Sequence, residues 1–115
     1  MRKTSRSKYG AIPTTVDGYR FASKREAERY GELKLLEKAG EIHGVGVHPR
    51  YPLMVLSPID GKLYKVGTYV ADFTYWEKDG LVIEDVKSRP TMTSIYRLKK
   101  KLMKVLYGVE IMETE

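Results

Sequence analysis

Tyr69-Val70-Ala71-Asp72-Phe73-Thr74-Tyr75-Trp76-Glu77-Lys78-Asp79-Gly80-Leu81-Val82-Ile83-Glu84-Asp85-Val86-Lys87 reads as two strands and a turn, and its register decides the fold around it. Both arms are rich in β-branched and aromatic residues. Asp79-Gly80 favours a tight turn, because glycine accepts positive φ without a Cβ clash. Side chains alternate along a strand, so Asp85 and Lys87 share one face and Glu84 points to the other. A two-residue loop at Asp79-Gly80 pairs Thr74 with Asp85 and Asp72 with Lys87. A four-residue loop from Glu77 to Gly80 pairs Trp76 with Leu81 and sets Asp72 across from Asp85. Either even-length loop gathers Asp72, Asp85 and Lys87 on one face. A three-residue loop breaks this parity unless a bulge restores it.

Upstream, Tyr51 to Leu56 and Lys62 to Trp76 read as strands joined by a turn at Ser57-Pro58-Ile59-Asp60-Gly61. Ser23-Lys24-Arg25-Glu26 has the spacing of a capping box and opens a helix that runs to about Ala39 and stops at Gly40. Ala27, Tyr30, Leu33 and Leu36 make its apolar stripe. Glu26 lies on that stripe, one turn before Tyr30, and is aimed at the sheet; Glu28 falls on the far side. Downstream, Pro90 interrupts the chain and Thr91 or Thr93 caps a second helix, with Ile95, Leu98, Leu102, Val105 and Leu106 as its apolar stripe. Gly108 ends that helix, and Val109 to Met112 alternates like a short last strand. The expected order is α-β-β-β-α-β, a mixed α/β layer fold with a sheet of about four strands flanked by two helices.

At 115 residues the chain makes one domain with a modest core, preceded by a flexible basic arm over residues 1–12. Without cysteine there are no disulfides, zinc-thiolate sites or thiol nucleophiles, which suits a reducing cytoplasm. The charged start of the chain is followed by no apolar segment, against a signal peptide. No apolar run approaches the roughly 20 residues that span a bilayer. The net charge of +6 is unevenly spread. Arg2, Lys3, Arg6 and Lys8 cluster in the arm, and Arg97, Lys99, Lys100, Lys101 and Lys104 on the second helix. Such a distribution fits a polyanion, most commonly nucleic acid; a solvated lysine-rich surface is the plain alternative.

Hydrolysing a phosphodiester requires an aligned water and stabilisation of transition-state charge, and a divalent ion supplies much of both. Mg²⁺ prefers oxygen ligands, and Mn²⁺ suits them equally. Asp72 and Asp85 offer carboxylates across the hairpin, the Val86 carbonyl a further oxygen, and Glu26 completes the shell from the helix. Lys87 then lies beside the metal, where it orients or deprotonates the attacking water or neutralises the phosphate. Each residue has a structural counterpart reading. Asp85 and Lys87 can be a same-face ion pair, and Glu26 the capping partner of Ser23. His43 and His48 are isolated; lone histidines are more often packed or surface groups, with a place beside the site the lesser reading for His48. Asp72 is the hardest to explain structurally, since a carboxylate in an apolar strand is costly unless paired or metal-bound.

This pattern resembles the PD-(D/E)xK nuclease superfamily. The likeness runs through Ser23-Lys24-Arg25-Glu26-Ala27-Glu28-Arg29-Tyr30, then Tyr69-Val70-Ala71-Asp72-Phe73, then Glu84-Asp85-Val86-Lys87. More narrowly the chain is similar to a small phage-associated family of that superfamily, long described as a domain of unknown function. The likeness covers Tyr19 to about Met112 and includes Tyr96-Arg97-Leu98-Lys99-Lys100-Lys101-Leu102. Two departures stand out: Ala71 where the superfamily has proline, and His48 where the narrower family has glutamine.

The resemblance implies a restriction-endonuclease-like core over residues 13–115 and Mg²⁺- (or Mn²⁺-) dependent cleavage of DNA by Glu26, Asp72, Asp85 and Lys87. It also implies a structure-specific activity like that of Holliday-junction resolvases, in phage recombination or genome processing in the host cytoplasm. Cutting two symmetric strands implies a homodimer. The competing expectation is a non-catalytic nucleic-acid-binding protein on a nuclease-like fold.

Overall fold

The computed structural model describes residues 12–88 and 91–115; the expected basic arm, with Arg2, Lys3, Arg6 and Lys8, lies outside the described residues. The fold is mixed α/β, with two helices and a mixed four-stranded sheet. Strands β1 (Thr14–Val16) and β2 (Tyr19–Phe21) form an antiparallel hairpin. Helix α1 follows (Lys24–Lys38), then β3 (His43–Val47), β4 (Arg50–Leu56), β5 (Leu63–Val70), β6 (Phe73–Glu77) and β7 (Gly80–Val86). Helix α2 (Ser94–Tyr107) and β8 (Met112–Thr114) complete it.

Both helices begin and end where local chemistry dictates. The Ser23 hydroxyl accepts from the Glu26 N–H at 3.1 Å, and Thr93 caps α2 by accepting from the Tyr96 N–H at 3.1 Å. Gly40, just beyond α1, has φ +80°. Gly108 closes α2 at φ +67°, its N–H returning to the Lys104 carbonyl.

The main sheet has the order β3-β6-β7-β8, antiparallel except for the parallel β7–β8 edge, where Asp85 pairs with Glu113. Parallel neighbours need a crossover, and α2 supplies it. The β6–β7 register pairs Trp76 with Leu81 and Phe73 with Glu84. This is the four-residue-loop register, which brings Asp72 level with Asp85.

Three expectations are corrected. The single long strand from Lys62 to Trp76 is two strands in different sheets. β3–β4 and β5–β6 form one ribbon that bends sharply at His48-Pro49 and Ala71-Asp72. The bend is held by His48 N–H donating to the Asp72 carbonyl at 3.0 Å and Ala71 N–H to the Pro49 carbonyl at 3.1 Å. Below it, β4 and β5 form their own two-stranded sheet. The order α-β-β-β-α-β also lacks the β1–β2 hairpin and β3, and the last strand begins at Met112 rather than Val109. Finally, of the expected α2 stripe Leu102 and Leu106 pack against the core, which buries Tyr96 and Met103 as well, while Ile95 and Val105 stay 60% and 73% exposed and Leu98 is also exposed. On α1, Leu36 is likewise exposed, leaving Ala27, Tyr30 and Leu33 as the buried stripe.

The sheet separates two apolar clusters. On one face Phe21, Ala27, Tyr30, Leu33, Ile42, Phe73 and Tyr75 pack beneath α1. On the other, Leu53, Tyr69, Ala71, Ile83, Tyr96, Met103 and Ile111 join α2 to the β4–β5 hairpin. Each fully buried phenylalanine or leucine contributes about 1.5–3 kcal/mol relative to exposure.

Candidate metal centre

Among the described residues two carboxylates are fully buried, and they sit next to each other on β7 facing opposite ways. Glu84 is fully buried beneath α1. It is neutralised by a two-pronged contact from Arg29, Nε to Oε2 at 2.7 Å and Nη2 to Oε1 at 3.0 Å, and receives the Tyr75 hydroxyl at 2.6 Å. It is structural, as its strand parity predicts. Asp85, 2% exposed, faces the α2 side. Its Oδ1 accepts the Asp72 N–H at 3.0 Å and its Oδ2 the Tyr69 hydroxyl. Among the described residues no cation pairs with it within salt-bridge distance.

Asp72 sits at the ribbon bend, outside the β-ladder, and its carboxylate accepts the Val86 N–H through Oδ2 at 2.7 Å. Val86, expected as an oxygen donor, meets Asp72 through this N–H. Glu26 projects from the first turn of α1, and its side chain leaves the capping box half-made to approach Asp72. Ligand atoms of Glu26, His48 and Asp72 lie within 4.8 Å of one another. Lys87 follows β7, with Nζ 4.3 Å from the centre of the Tyr96 ring, a cation–π contact.

The electrostatics follow from this crowding. Burial, then the Glu26 charge, pushes Asp72 up to about 6, against relief from the Val86 N–H and Lys87. Burial raises Asp85 to about 7; the Tyr69 hydroxyl draws it down while the Asp72 charge adds to the rise. Glu26 is raised by burial, partly offset by hydrogen bonding at Ala22 and Asp72 and by Lys87. Tyr69 and Tyr96 are raised by burial and by their carboxylate partners Asp85 and Glu113, so both remain neutral donors. Three acids and one lysine thus act on one another electrostatically, and burial shifts the Asp72 and Asp85 carboxyls toward neutrality. Hard oxygen donors with one imidazole suit a divalent cation.

All four expected catalytic residues therefore come together, but unequally. Glu26 and Asp72 share the ligand cluster, Asp85 stands behind Asp72, and Lys87 flanks them. His48, expected to be isolated, belongs to the cluster. No signal in the sequence places it there: the ribbon bend, visible only in the structure, sets His48 beside Asp72. Arg29 was also missed, although it lies three residues after Glu26 on the same helix face.

The expected basic face divides. Lys100 is engaged by Glu113 at 2.9 Å and Lys104 by Glu110 at 3.1 Å. Glu113 also receives the Tyr96 hydroxyl at 2.7 Å. Arg97, Lys99 and Lys101 have no such partner among the described residues. A groove of about 610 Å³ beside Lys87 is lined by Ser88, Met92, Arg97, Glu113, Thr114 and Glu115. No helix among the described residues is long and apolar enough to cross a membrane.

No match was found among curated proteins or among solved structures. The family model described as "Protein of unknown function (DUF1064)" matches residues 6–112, nearly the whole length, and the chain therefore belongs to that family.

Proposed function

We propose that this chain is a metal-dependent endodeoxyribonuclease of the PD-(D/E)xK type, built on a restriction-endonuclease-like core, that hydrolyses phosphodiester bonds in branched DNA such as a Holliday junction. The observation that carries this reading is the meeting of Glu26 and Asp72 within 4.8 Å, with Asp85 directly behind Asp72 and, among the described residues, no cation within salt-bridge distance of any of the three. Crowded carboxylates repel one another, and a bound divalent ion removes that repulsion. Nearby Glu84 gives the contrast, since a structural buried acid in this fold has its own arginine.

Glu26 and Asp72 would hold the ion, with Asp85 at hand behind them. When bound, it supplies charge stabilisation and lowers the pKa of a coordinated water. The remaining work falls to the chain. The Tyr69 hydroxyl and the Asp72 N–H fix the Asp85 carboxylate before any ligand arrives, which is preorganisation of the kind electrostatic catalysis needs. The Tyr96 ring positions the Lys87 ammonium, which orients the attacking water or neutralises the scissile phosphate. Arg97 in the groove beside Lys87, with Lys99 and Lys101 further along α2, gives the DNA backbone a path into the site. A single domain of this size favours recognition of DNA shape over sequence, in keeping with a role in phage recombination or genome processing in the host cytoplasm.

The test is to incubate wild type, Asp72→Asn and Asp85→Asn with a four-way junction, linear duplex and single-stranded DNA in Mg²⁺, Mn²⁺ or EDTA. The expected result is metal-dependent cutting, strongest on the junction and lost in both variants. Binding without cleavage in either metal would refute the catalytic reading and leave a non-catalytic nucleic-acid-binding module.

A further inference from the structure

We infer that His48 is the third protein ligand of this metal centre, and that it biases the site toward first-row transition ions such as Mn²⁺ over Mg²⁺. The inference deepens the proposed function and rests on its metal centre.

Four observations support it. First, ligand atoms that each sit about 2.0–2.2 Å from one ion are at most about 4.4 Å apart. The Glu26, His48 and Asp72 atoms, within 4.8 Å of one another, need move inward only slightly. Second, the His48 ring packs against Phe21, centroids 5.6 Å apart, yet its nitrogens make no hydrogen bond to any described residue, leaving them available to coordinate.

Third, His48 has φ +53° although it precedes Pro49, a position that ordinarily favours extended backbone. An L-residue in the left-handed region pays about 1–2 kcal/mol, and glycine or asparagine would occupy the bend more easily. Such strain beside two carboxylates is characteristic of functional positions. Fourth, the His48 N–H is tied to the Asp72 carbonyl at 3.0 Å, so the bend that exposes Asp72 also delivers the imidazole. Mg²⁺ favours oxygen ligands and gives up water reluctantly, whereas imidazole suits transition ions.

The chain has only two histidines, and His43 is exposed on β3 opposite Trp76, which makes the assignment clean. Mn²⁺ bound to the protein without DNA should show imidazole nitrogen modulation in electron spin-echo spectra. That modulation should vanish in His48→Gln and in His48→Asn, the latter better suited to positive φ, and persist in His43→Gln. Circular dichroism confirms that each variant folds. By calorimetry, His48→Gln should narrow the preference for Mn²⁺ over Mg²⁺ by about tenfold or more, the scale on which metal-site neighbours act.

Mn²⁺ bound without nitrogen modulation, or modulation surviving in both His48 variants, would overturn the role of His48 while leaving the metal centre intact. Failure of the wild type to bind either ion would overturn both.

Discussion

Asp85 sets up an unusual trade between stability and chemistry that one substitution exposes. Its carboxyl ionises near pH 7 rather than at the ordinary 3.8, chiefly because it is buried, with the Asp72 charge adding to the rise against the Tyr69 hydrogen bond. A folded-state value above the unfolded one means that the native form holds its proton more tightly. The resulting stabilisation is complete below about pH 4 and is lost as pH rises through 7. At about 1.4 kcal/mol per pH unit, a rise of roughly three units corresponds to a ceiling of about 4 kcal/mol. Asp85→Asn removes the charge and keeps the shape: Oδ1 still accepts the Asp72 N–H, and the amide can donate to the Tyr69 oxygen. In EDTA at pH 8 the variant should therefore exceed wild type by about 2–4 kcal/mol, with the gap closing by pH 4. Urea denaturation at several pH values, with chelator present, measures this directly. A variant no more stable than wild type at pH 8, or a wild type whose stability rises between pH 5 and 8, would refute the reasoning. The same variant should lose metal-dependent cleavage.

Removing Arg29 by Arg29→Ala strands the fully buried Glu84 and should destabilise the fold by about 3–5 kcal/mol in urea denaturation; a loss under 1 kcal/mol would mean that solvent reaches Glu84. Gly108→Ala forces a Cβ into the left-handed region at the end of α2 and should lower stability by about 1–2 kcal/mol in thermal melts, with little effect on metal binding. On the basic face, Lys99→Ala and Lys101→Ala should each reduce the salt dependence of DNA binding by about 0.9 in log–log slope. Lys100→Ala and Lys104→Ala, whose ammonium groups are engaged with Glu113 and Glu110, should change it less. Fluorescence anisotropy over a salt series decides, and equal effects at all four positions would contradict the division.

What could be read from the sequence is what short-range chemistry controls. The caps at Ser23 and Thr93, the glycine stops at Gly40 and Gly108, and the opposite facing of Glu84 and Asp85 all follow from spacing alone. The ribbon bend does not, because alternation continues across Val70 to Phe73 on both sides of it, and only the pairing partners change. The β1–β2 hairpin carried a local signal, Asp17-Gly18 with φ of +53° and +81°, between segments of only three residues each. The buried face of α2 was misjudged for another reason. Its aliphatic residues suggested one stripe, but the core receives Tyr96 and Met103, leaving Ile95, Leu98 and Val105 outside. Aliphatic spacing locates a possible contact surface; the neighbouring hairpin decides which surface is used. The same limit hid His48, whose place beside Glu26 and Asp72 depends on α1 and the bend meeting in space.

The division of the apolar interior by the sheet bears on how the molecule comes apart. Glu26 is carried by the layer beneath α1, whereas Tyr69 and Tyr96, which hold Asp85 and Lys87, belong to the layer beneath α2. Asp72 stands at the seam. An ion held at the proposed centre would rivet together two layers joined through the strands between them. Without it, mutual repulsion among the acids pries at the same seam, so either layer is free to loosen first. If the proposed centre binds its ion, the loaded molecule should instead open as one cooperative body, and a partly unfolded chain would lose the arrangement the proposed nuclease needs.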